Sequence, residues 1–178
     1  MISVIFFHLP KTSKQTALKC CFFALVKFAN KYIGVALLTF VSSFLAAQNE
    51  EAAIKRVIEK ESAAYFNVDF KTWAECWVQA PHAYWSYTDT SGTRFLDGWE
   101  AVKNSMTTYF KSAKPSSGEI SNQWLEIRIY EAGAYVRFTQ LAIDGTDRTE
   151  TAQIRVLEKQ NGQWRIVCMQ AVGRSTAR

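Results

Sequence analysis

Beyond residue 48, apolar residues recur first at helical spacing and later at every second position. The first helical stripe predicts a helix that ends near Asn67, with Glu61 and Ser62 in the gap between its apolar residues. Asp69 predicts the start of a short second helix, because its carboxylate can accept the free amide hydrogens of a first turn. The two apolar faces consist of Ile54, Val57, Ile58, Tyr65 and Phe66, and of Phe70, Trp73, Ala74 and Trp77.

From His82 the period changes to two, which predicts a strand that ends at Asp89. The pair Ser91-Gly92 predicts a turn into a short return strand, TRFL. The stretch DGWE then predicts a third helix, because Asp97 and Glu100 have the spacing of a capping box. The apolar stripe of this helix consists of Trp99, Val102, Met106, Tyr109 and Phe110.

From Trp124 onward the alternation predicts four strands joined by tight turns. Asn161-Gly162 is the strongest turn signal, and further turns are expected at Ala132-Gly133 and Asp144-Gly145. Consecutive hairpins build an antiparallel meander. The order of elements therefore predicts an α+β fold, in which three N-terminal helices wrap a curved antiparallel sheet of about six strands.

The first 47 residues have the layout of a secretory signal peptide. A lysine-bearing region ends at Lys31, the apolar run YIGVALLTFVSSFL follows, and AAQ comes next. We expect cleavage between Ala47 and Gln48, which leaves residues 48–178 as one exported domain, periplasmic or secreted. The alternatives are a retained membrane anchor, although the apolar run is short for a span of roughly 20 residues, and a true start downstream of Met1.

The formal net charge of +5 comes from this leader. Five of the 21 Lys and Arg residues precede Glu50 and no acidic residue does, which leaves 16 basic against 16 acidic residues. A neutral chain with interspersed charges lacks the basic surface by which proteins bind nucleic acids. Nucleic acid is therefore not an expected partner, and a membrane is expected to be contacted only through the leader.

Four motifs carry a resemblance to a known superfamily: VDFKTW, the strand around Trp85, LDGWEAV and GQWRIV. In this order they resemble the nuclear transport factor 2-like superfamily, especially its SnoaL-like bacterial members, over nearly all of the mature chain. The resemblance implies a cone-shaped roll with a pocket between helices and sheet, often dimerising through the sheet. Relatives include isomerases, dehydratases and assembly domains, so the function has to be argued from the site.

The final strand departs from a pattern found in many relatives, which carry histidines there as W-x-I-V-H-x-H. Cys168 and Gln170 occupy these positions, so no role that needs imidazoles there is expected. Cys168 could pair with Cys76 in an oxidising compartment, or both could be small buried hydrophobes. With one mature histidine and no carboxylate cluster, we expect neither a metal site nor a cofactor.

Asp89 and His82 are the candidate catalytic residues. Asp89 resembles in its placement the carboxylate that moves the proton in ketosteroid isomerase-like members, and Tyr65 and Tyr109 are candidate donors to an oxyanion. The alternative is that Asp89 caps its own turn in TDTSG. His82 is a candidate general base or proton shuttle, with an exposed histidine at a strand end as the alternative.

The density of aromatic residues predicts an apolar pocket. All six tryptophans lie in the mature chain, where they can line a pocket or build a core. A facing pair, Arg128 and Arg137, is expected if Ala132-Gly133 is the hairpin loop. Glu126, a carboxylate of a neighbouring strand such as Glu150, or a ligand carboxylate would then have to lie between the two charges. The candidate ligand-binding residues are Tyr65, Trp73, Trp77, Trp85, Trp99, Tyr109, Cys168 and Gln170.

These observations predict an exported, homodimeric domain that binds a small hydrophobic or aromatic molecule, with a carboxylate on that molecule as an option. The first alternative is an isomerase or dehydratase-like enzyme that uses a pocket carboxylate as general base. The second alternative is a structural homodimerisation module. The sequence does not identify the ligand or a reaction.

Overall fold

A computed structural model describes residues 48–174. The predicted leader, residues 1–47, lies outside the described residues. No described helix combines the length and the apolar character that crossing a membrane would require. The elements in chain order are α1 (48–66), α2 (Phe70–Glu75), β1 (Tyr84–Asp89), β2 (Gly92–Asp97), α3 (Trp99–Ser112), β3 (Glu119–Tyr130), β4 (Gly133–Asp144), β5 (Asp147–Gln160) and β6 (Gln163–Arg174).

The described strands form one open sheet with the order β2-β1-β6-β5-β4-β3. The four strands from β3 to β6 pair as an antiparallel meander, and β1 pairs with β2 in the same way. β1 and β6 run parallel, with Trp85 beside Met169 and Tyr87 beside Ala171. Over residues 48–174 the predicted α+β fold with six strands and three helices is confirmed, and the sheet is mixed rather than wholly antiparallel.

Helices α1, α2 and α3 contribute side chains to one apolar core with the inner face of the sheet. Burying one large aliphatic side chain fully contributes roughly 1.5–3 kcal/mol, so this cluster accounts for much of the stability. Truncating Ile58, which is fully buried in α1, to Ala would cost about 2–5 kcal/mol. Prominent members of the core are Ile54, Ile58, Trp73, Trp77, Val102, Val136, Phe138, Leu157 and Ile166.

Two local predictions about chain conformation are confirmed. The Oδ1 atom of Asp69 accepts the amide hydrogen of Thr72 at 3.0 Å and caps α2. Asn161 and Gly162 both have positive φ, 51° and 78°, and join β5 to β6. These features depend on neighbours in sequence, which is why the local pattern was sufficient.

Four predictions about turns and caps are wrong. The turn predicted at Asp144-Gly145 lies one residue later, at residues 145–146, because Asp144 pairs with Asp147. Helix α3 has Gly98 as its N-cap and no side-chain capping bond, so Asp97 and Glu100 do not form a capping box. Asp89 pairs with Gly92, which places the first turn at residues 90–91. Tyr130 pairs with Gly133, so the second hairpin turns at residues 131–132.

The shift in the second hairpin changes the environment of the two arginines. Arg128 faces Tyr135, and Arg137 faces Glu126, with a bulge between Trp124 and Glu126. Glu126 contacts both guanidinium groups, at 2.7 Å to Arg128 Nε and 3.5 Å to Arg137 Nη2. The two positive charges therefore share a protein carboxylate, and no ligand carboxylate is required between them.

Candidate functional site

A cavity of about 1010 Å3 lies between helices α1 and α3 and the inner face of the sheet. α1 presents Glu61 and Tyr65 to it, and α3 presents Met106 and Tyr109. The strands contribute alternate residues, because side chains one apart on a strand point to opposite faces. The cavity therefore has a helical wall and a sheet wall, and its lining differs with depth.

The walls are largely aromatic and apolar. Tyr65 and Tyr109 stack with ring centroids 5.0 Å apart and planes 4° from parallel. Trp85 and Tyr87 stack on the opposite wall at 6.4 Å, beside Met169. Burial raises the pKa of the Tyr65 hydroxyl above its ordinary value, so Tyr65 is neutral and can donate a hydrogen bond. Flat rings on two sides can hold a planar apolar group between them.

The floor of the cavity is charged and buried. Arg155 Nη2 lies 3.4 Å from Glu61 Oε2, and the two side chains are 2% and 4% exposed. Trp73 Nε1 donates to Glu61 Oε1 at 2.8 Å, and the Arg155 guanidinium lies 5.5 Å from the centre of the Phe138 ring. Burial lowers the pKa of Arg155, and the Glu61 charge opposes this effect. A buried ion pair of this kind is costly to assemble unless further contacts satisfy it.

Beside this ion pair, a chain of side-chain amides continues across the floor. Gln153 Nε2 donates to Gln140 Oε1 at 3.0 Å and to Thr151 Oγ1 at 2.7 Å. Gln140 Nε2 in turn donates to Ser62 Oγ at 2.9 Å and to Asn122 Oδ1 at 3.0 Å. Each amide is thus oriented by its neighbour, which holds the floor in one arrangement.

Two polar atoms of the floor have no hydrogen-bond partner among the described residues: Arg155 Nε and Gln153 Oε1. Arg155 is 1% exposed and Gln153 is 4% exposed. Buried polar groups in folded proteins are nearly always partnered, and both of these side chains line the cavity. Both atoms have almost no accessible surface, so they lie behind the cavity lining and do not face its space.

Three of the predicted binding residues, Tyr65, Trp85 and Tyr109, line the cavity. The remaining three aromatic residues of the prediction pack in the core and are not among its lining residues. Trp73 lies 5.4 Å from Trp77 and 6.1 Å from Trp99 between ring centroids. Trp73 still acts on the site, because its indole N–H holds Glu61.

Cys168 and Gln170 do not face this cavity. They alternate along β6 with Met169 and Ala171, which line it, so their side chains lie on the opposite face of the sheet. The predicted polar contact of Gln170 with a pocket ligand therefore has no support from its position. Cys168 and Cys76 are both free thiols, and burial raises the pKa of Cys76 to about 12.

Asp89 lies at the rim of the cavity and is engaged by its own turn. Its Oδ1 atom accepts hydrogen bonds from the Ser91 hydroxyl and from the Ser91 amide, the latter at 2.8 Å. These bonds lower the pKa of Asp89, which holds it ionised and makes it a weak proton acceptor. These contacts agree with the alternative interpretation, in which Asp89 caps its own turn.

His82 lies outside the cavity lining, at the start of the chain segment that leads into β1. Its Nε2 atom is 3.4 Å from Glu158 Oε2, and its side chain is 57% exposed. This position agrees with the alternative interpretation of His82 as an exposed histidine at a strand end. Within residues 48–174, no three His, Cys, Asp or Glu side chains gather as a metal site would require.

The sequence interpretation missed the four residues that form the floor: Glu61, Gln140, Gln153 and Arg155. A signal for Glu61 was present, because it lies three residues after Ile58 and seven after Ile54 and so falls on the buried stripe of α1. In β5, Gln153 and Arg155 share a face with buried Leu157. Polar residues at positions that the period assigns to the interior indicate a polar site there.

The chain was compared with known protein families, sequences and solved structures. No family model matches the chain, and no curated protein matches it in sequence. Among solved structures, an NTF-2-like protein of unknown function from Shewanella oneidensis MR-1 matches with a TM-score of 0.56 and 18% identity, over 69% of this chain and 98% of that one. A similar protein from Shewanella baltica OS155 matches with a TM-score of 0.56 and 18% identity, over 72% and 96% of the two chains.

The chain has the nuclear transport factor 2-like fold. A ketosteroid isomerase-like protein from Erwinia carotovora atroseptica matches it as well, with a TM-score of 0.53 and 11% identity over 70% of this chain and 95% of that one. The resemblance seen in the sequence is thus confirmed for the fold. At these identities a nuclear transport factor 2-like fold does not define a function.

Proposed function

We propose that this protein is a small-molecule-binding domain whose ligand occupies the cavity between α1, α3 and the sheet. The observation that carries the proposal is a cavity with aromatic walls and a floor of buried polar side chains. Ligand sites in proteins are typically about 300–1,000 Å3, mostly apolar, with a few placed polar groups. This cavity, at about 1010 Å3, is at the upper end of that range.

The walls favour a ligand with a flat apolar body. Tyr65 and Tyr109 present a stacked pair, and Trp85 and Met169 line the opposite side. Aromatic side chains contribute large contact areas at little cost in side-chain entropy. The ligand class that follows is the small hydrophobic or aromatic molecule expected from the sequence.

Export and dimerisation belong to the same proposal. The leader supports export to the periplasm or the medium, with cleavage near Ala47. The sheet face opposite the cavity carries Phe95, Val156 and Val172, which are 65%, 38% and 40% exposed. Exposed apolar side chains on one face support a contact with a second copy of the chain.

An enzyme is the alternative function, and the ketosteroid isomerase-like relative in fold favours it. The enzyme would transfer a proton or a water molecule on a small hydrophobic substrate with Asp89 as base. The hydrogen bonds from Ser91 weigh against this role, because they stabilise the ionised form of the carboxylate. Replacing Asp89 by Asn would abolish turnover of an identified substrate if the alternative were correct.

The proposal is tested by native mass spectrometry of the protein that is recovered from the exported fraction when the full chain is expressed, compared before and after denaturation. We expect a dimer mass together with a bound small molecule that is lost on denaturation. Ala142→Trp should reduce this occupancy, because Ala142 lines the cavity. Asn104→Trp, on the exposed side of α3 and away from both the cavity lining and the outer sheet face, is the control. A native mass equal to one or two times the mass of the denatured chain in every sample, with nothing further bound, would contradict the proposed ligand.

A further inference from the structure

The predicted mature chain begins two residues before a contact that ties α1 to the sheet. Glu50 makes this contact: its Oε1 atom accepts a hydrogen bond from Lys159 Nζ at 2.5 Å, and its Oε2 atom accepts one from Trp164 Nε1 at 2.6 Å. These bonds lower the pKa of the Glu50 carboxyl. Gln48 and Asn49 precede Glu50 and are exposed. A chain cut at the expected bond therefore starts with an exposed Gln48 on an ordered helix.

Cleavage at this bond would create a positive charge where a helix tolerates it poorly. The new α-amino group would stand at the N-terminal end of α1, where the aligned peptide dipoles already produce a partial positive charge. The two glutamates of the first turn are engaged by lysines, Glu50 by Lys159 and Glu51 by Lys55 at 2.6 Å. Both negative charges are therefore already balanced and do little to offset the new ammonium group.

The side chain of Gln48 can remove this charge by a reaction within the residue. Resting on the export that belongs to the proposed function, we propose that Gln48 is a modification site at which the mature chain cyclises to an N-terminal pyroglutamate. The unprotonated α-amino nitrogen attacks the side-chain Cδ atom and forms the C–N bond of a lactam ring. The bond from Cδ to the side-chain amide nitrogen breaks, and that nitrogen leaves as ammonia with the proton that the amine gives up.

The position of Gln48 favours ring closure. Its exposure leaves the α-amino group and the side-chain amide accessible. An α-amino group has an ordinary pKa of about 7.7–8.0, and the positive end of the helix dipole favours its neutral form, which is the nucleophile. The lactam keeps an N–H at the first helical position, where an N–H has no intrahelical partner in any case. Ring closure therefore removes a charge and breaks no hydrogen bond of the helix backbone.

The modification would protect the contact that Glu50 makes. Aminopeptidases remove residues one at a time from a free α-amino group. Removal of residues 48, 49 and 50 would take away Glu50 together with its hydrogen bonds to Lys159 and Trp164. A lactam offers these enzymes no α-amino group, so the cyclised chain keeps the start of α1 attached to the β5–β6 hairpin.

Peptide mass spectrometry of freshly exported protein tests the modification. The full chain is expressed, the exported fraction is quenched in acid at once so that no ring closes during handling, and the N-terminal peptide is fragmented. We expect a peptide that starts at Gln48 and is lighter than its sequence mass by one ammonia molecule. Gln48→Ala should start at residue 48 with its full sequence mass, because alanine has no side-chain carbonyl to attack.

Digestion of the folded protein with an aminopeptidase tests what the lactam does. The wild-type N-terminus should stay intact over a time in which Gln48→Ala is shortened. Treatment with pyroglutamyl peptidase, which removes the lactam residue, should make the wild-type protein as digestible as the variant. Asn49→Ala changes the exposed neighbour and keeps Gln48, so it is the matched control and should cyclise and resist digestion as the wild type does.

The outcomes separate this inference from the proposed function. A chain that starts at Gln48 with a free amine in the quenched sample, or that loses ammonia only during later storage, would overturn the modification and leave export intact. Digestion of wild type and Gln48→Ala at the same rate would overturn the protective role. A start at another residue, or a retained leader, would overturn both the modification and the expected cleavage. The bound ligand is judged separately by the native spectra.

Discussion

The two faces of strand β5 carry opposite kinds of side chain. The inner face presents Thr151, Gln153 and Arg155 to the cavity, whereas the outer face carries Ala152, Ile154 and Val156. In a sheet with one solvated face, the polar side chains usually lie outside. By our proposal, each face of β5 meets something other than core and water, a ligand on the inside and a second subunit on the outside.

The largest expected effect concerns the inner face. Arg155→Met leaves Glu61 buried without its cation, so we expect the free energy of unfolding to fall by roughly 3–5 kcal/mol. The double variant Glu61→Leu with Arg155→Met should regain most of this loss, because no charge is then unpaired. Urea denaturation followed by circular dichroism measures both. Equal losses in the single and double variants would show that the ion pair is not the cause.

The outer face supplies the control for that experiment. Arg137 also contacts a glutamate, Glu126, but its side chain is 53% exposed. An exposed ion pair contributes about 0–1 kcal/mol, so Arg137→Met should change the free energy of unfolding by no more than that. A loss as large as that of Arg155→Met would break the distinction between the two faces.

The next effect concerns how the core supports the floor. Trp73 and Trp77 are both fully buried. Among residues 48–174, the indole N–H of Trp73 has a partner, Glu61, and that of Trp77 has none. Trp73→Phe should therefore cost about 1–3 kcal/mol more than Trp77→Phe, because it leaves a buried carboxylate oxygen unsatisfied. Thermal and urea unfolding of the two variants checks this. Equal costs would mean that ring volume alone determines the loss.

The next prediction tests whether the outer face of the sheet forms the proposed dimer contact. Val156→Lys places a charge in the middle of the exposed apolar residues of the sheet, so we expect a dimer to dissociate at least about tenfold more readily. Analytical ultracentrifugation over a dilution series measures the change. Asn104→Lys, on the exposed side of α3, is the control. Identical association of both variants would remove the sheet face from the dimer proposal.

The smallest expected effect lies at the cavity rim. The pKa of Asp89 is lowered by Ser91 in the folded state, so its stabilising contribution is present above its unfolded pKa of about 3.8. That contribution is lost as the pH falls through the lower, folded value. In Asp89→Asn the free energy of unfolding should therefore fall slightly less steeply as the pH is lowered. Urea midpoints from pH 6 to pH 2 measure this, and Ser91→Ala should reproduce part of the change.

Local patterns predicted the helices, most strand positions, the cap at Asp69 and the turn at Asn161-Gly162. They placed Glu61 in a gap of the first helix, although the spacing from Ile58 puts it on the buried stripe. The aromatic residues were predicted as one group of pocket residues, whereas the fold separates Trp85 in the wall from Trp73 in the core. Composition alone does not show which face of an element a ring occupies.

The sequence by itself determined the α+β class and the order of elements, because spacing, capping and turn chemistry act between residues that are close along the chain. Tertiary structure decided the rest. The parallel pairing of β1 with β6 and the contact of Glu61 with Arg155, which are 94 residues apart, join distant parts of the chain. Their energy depends on burial and on the partner that each group meets, and neither can be read from one segment.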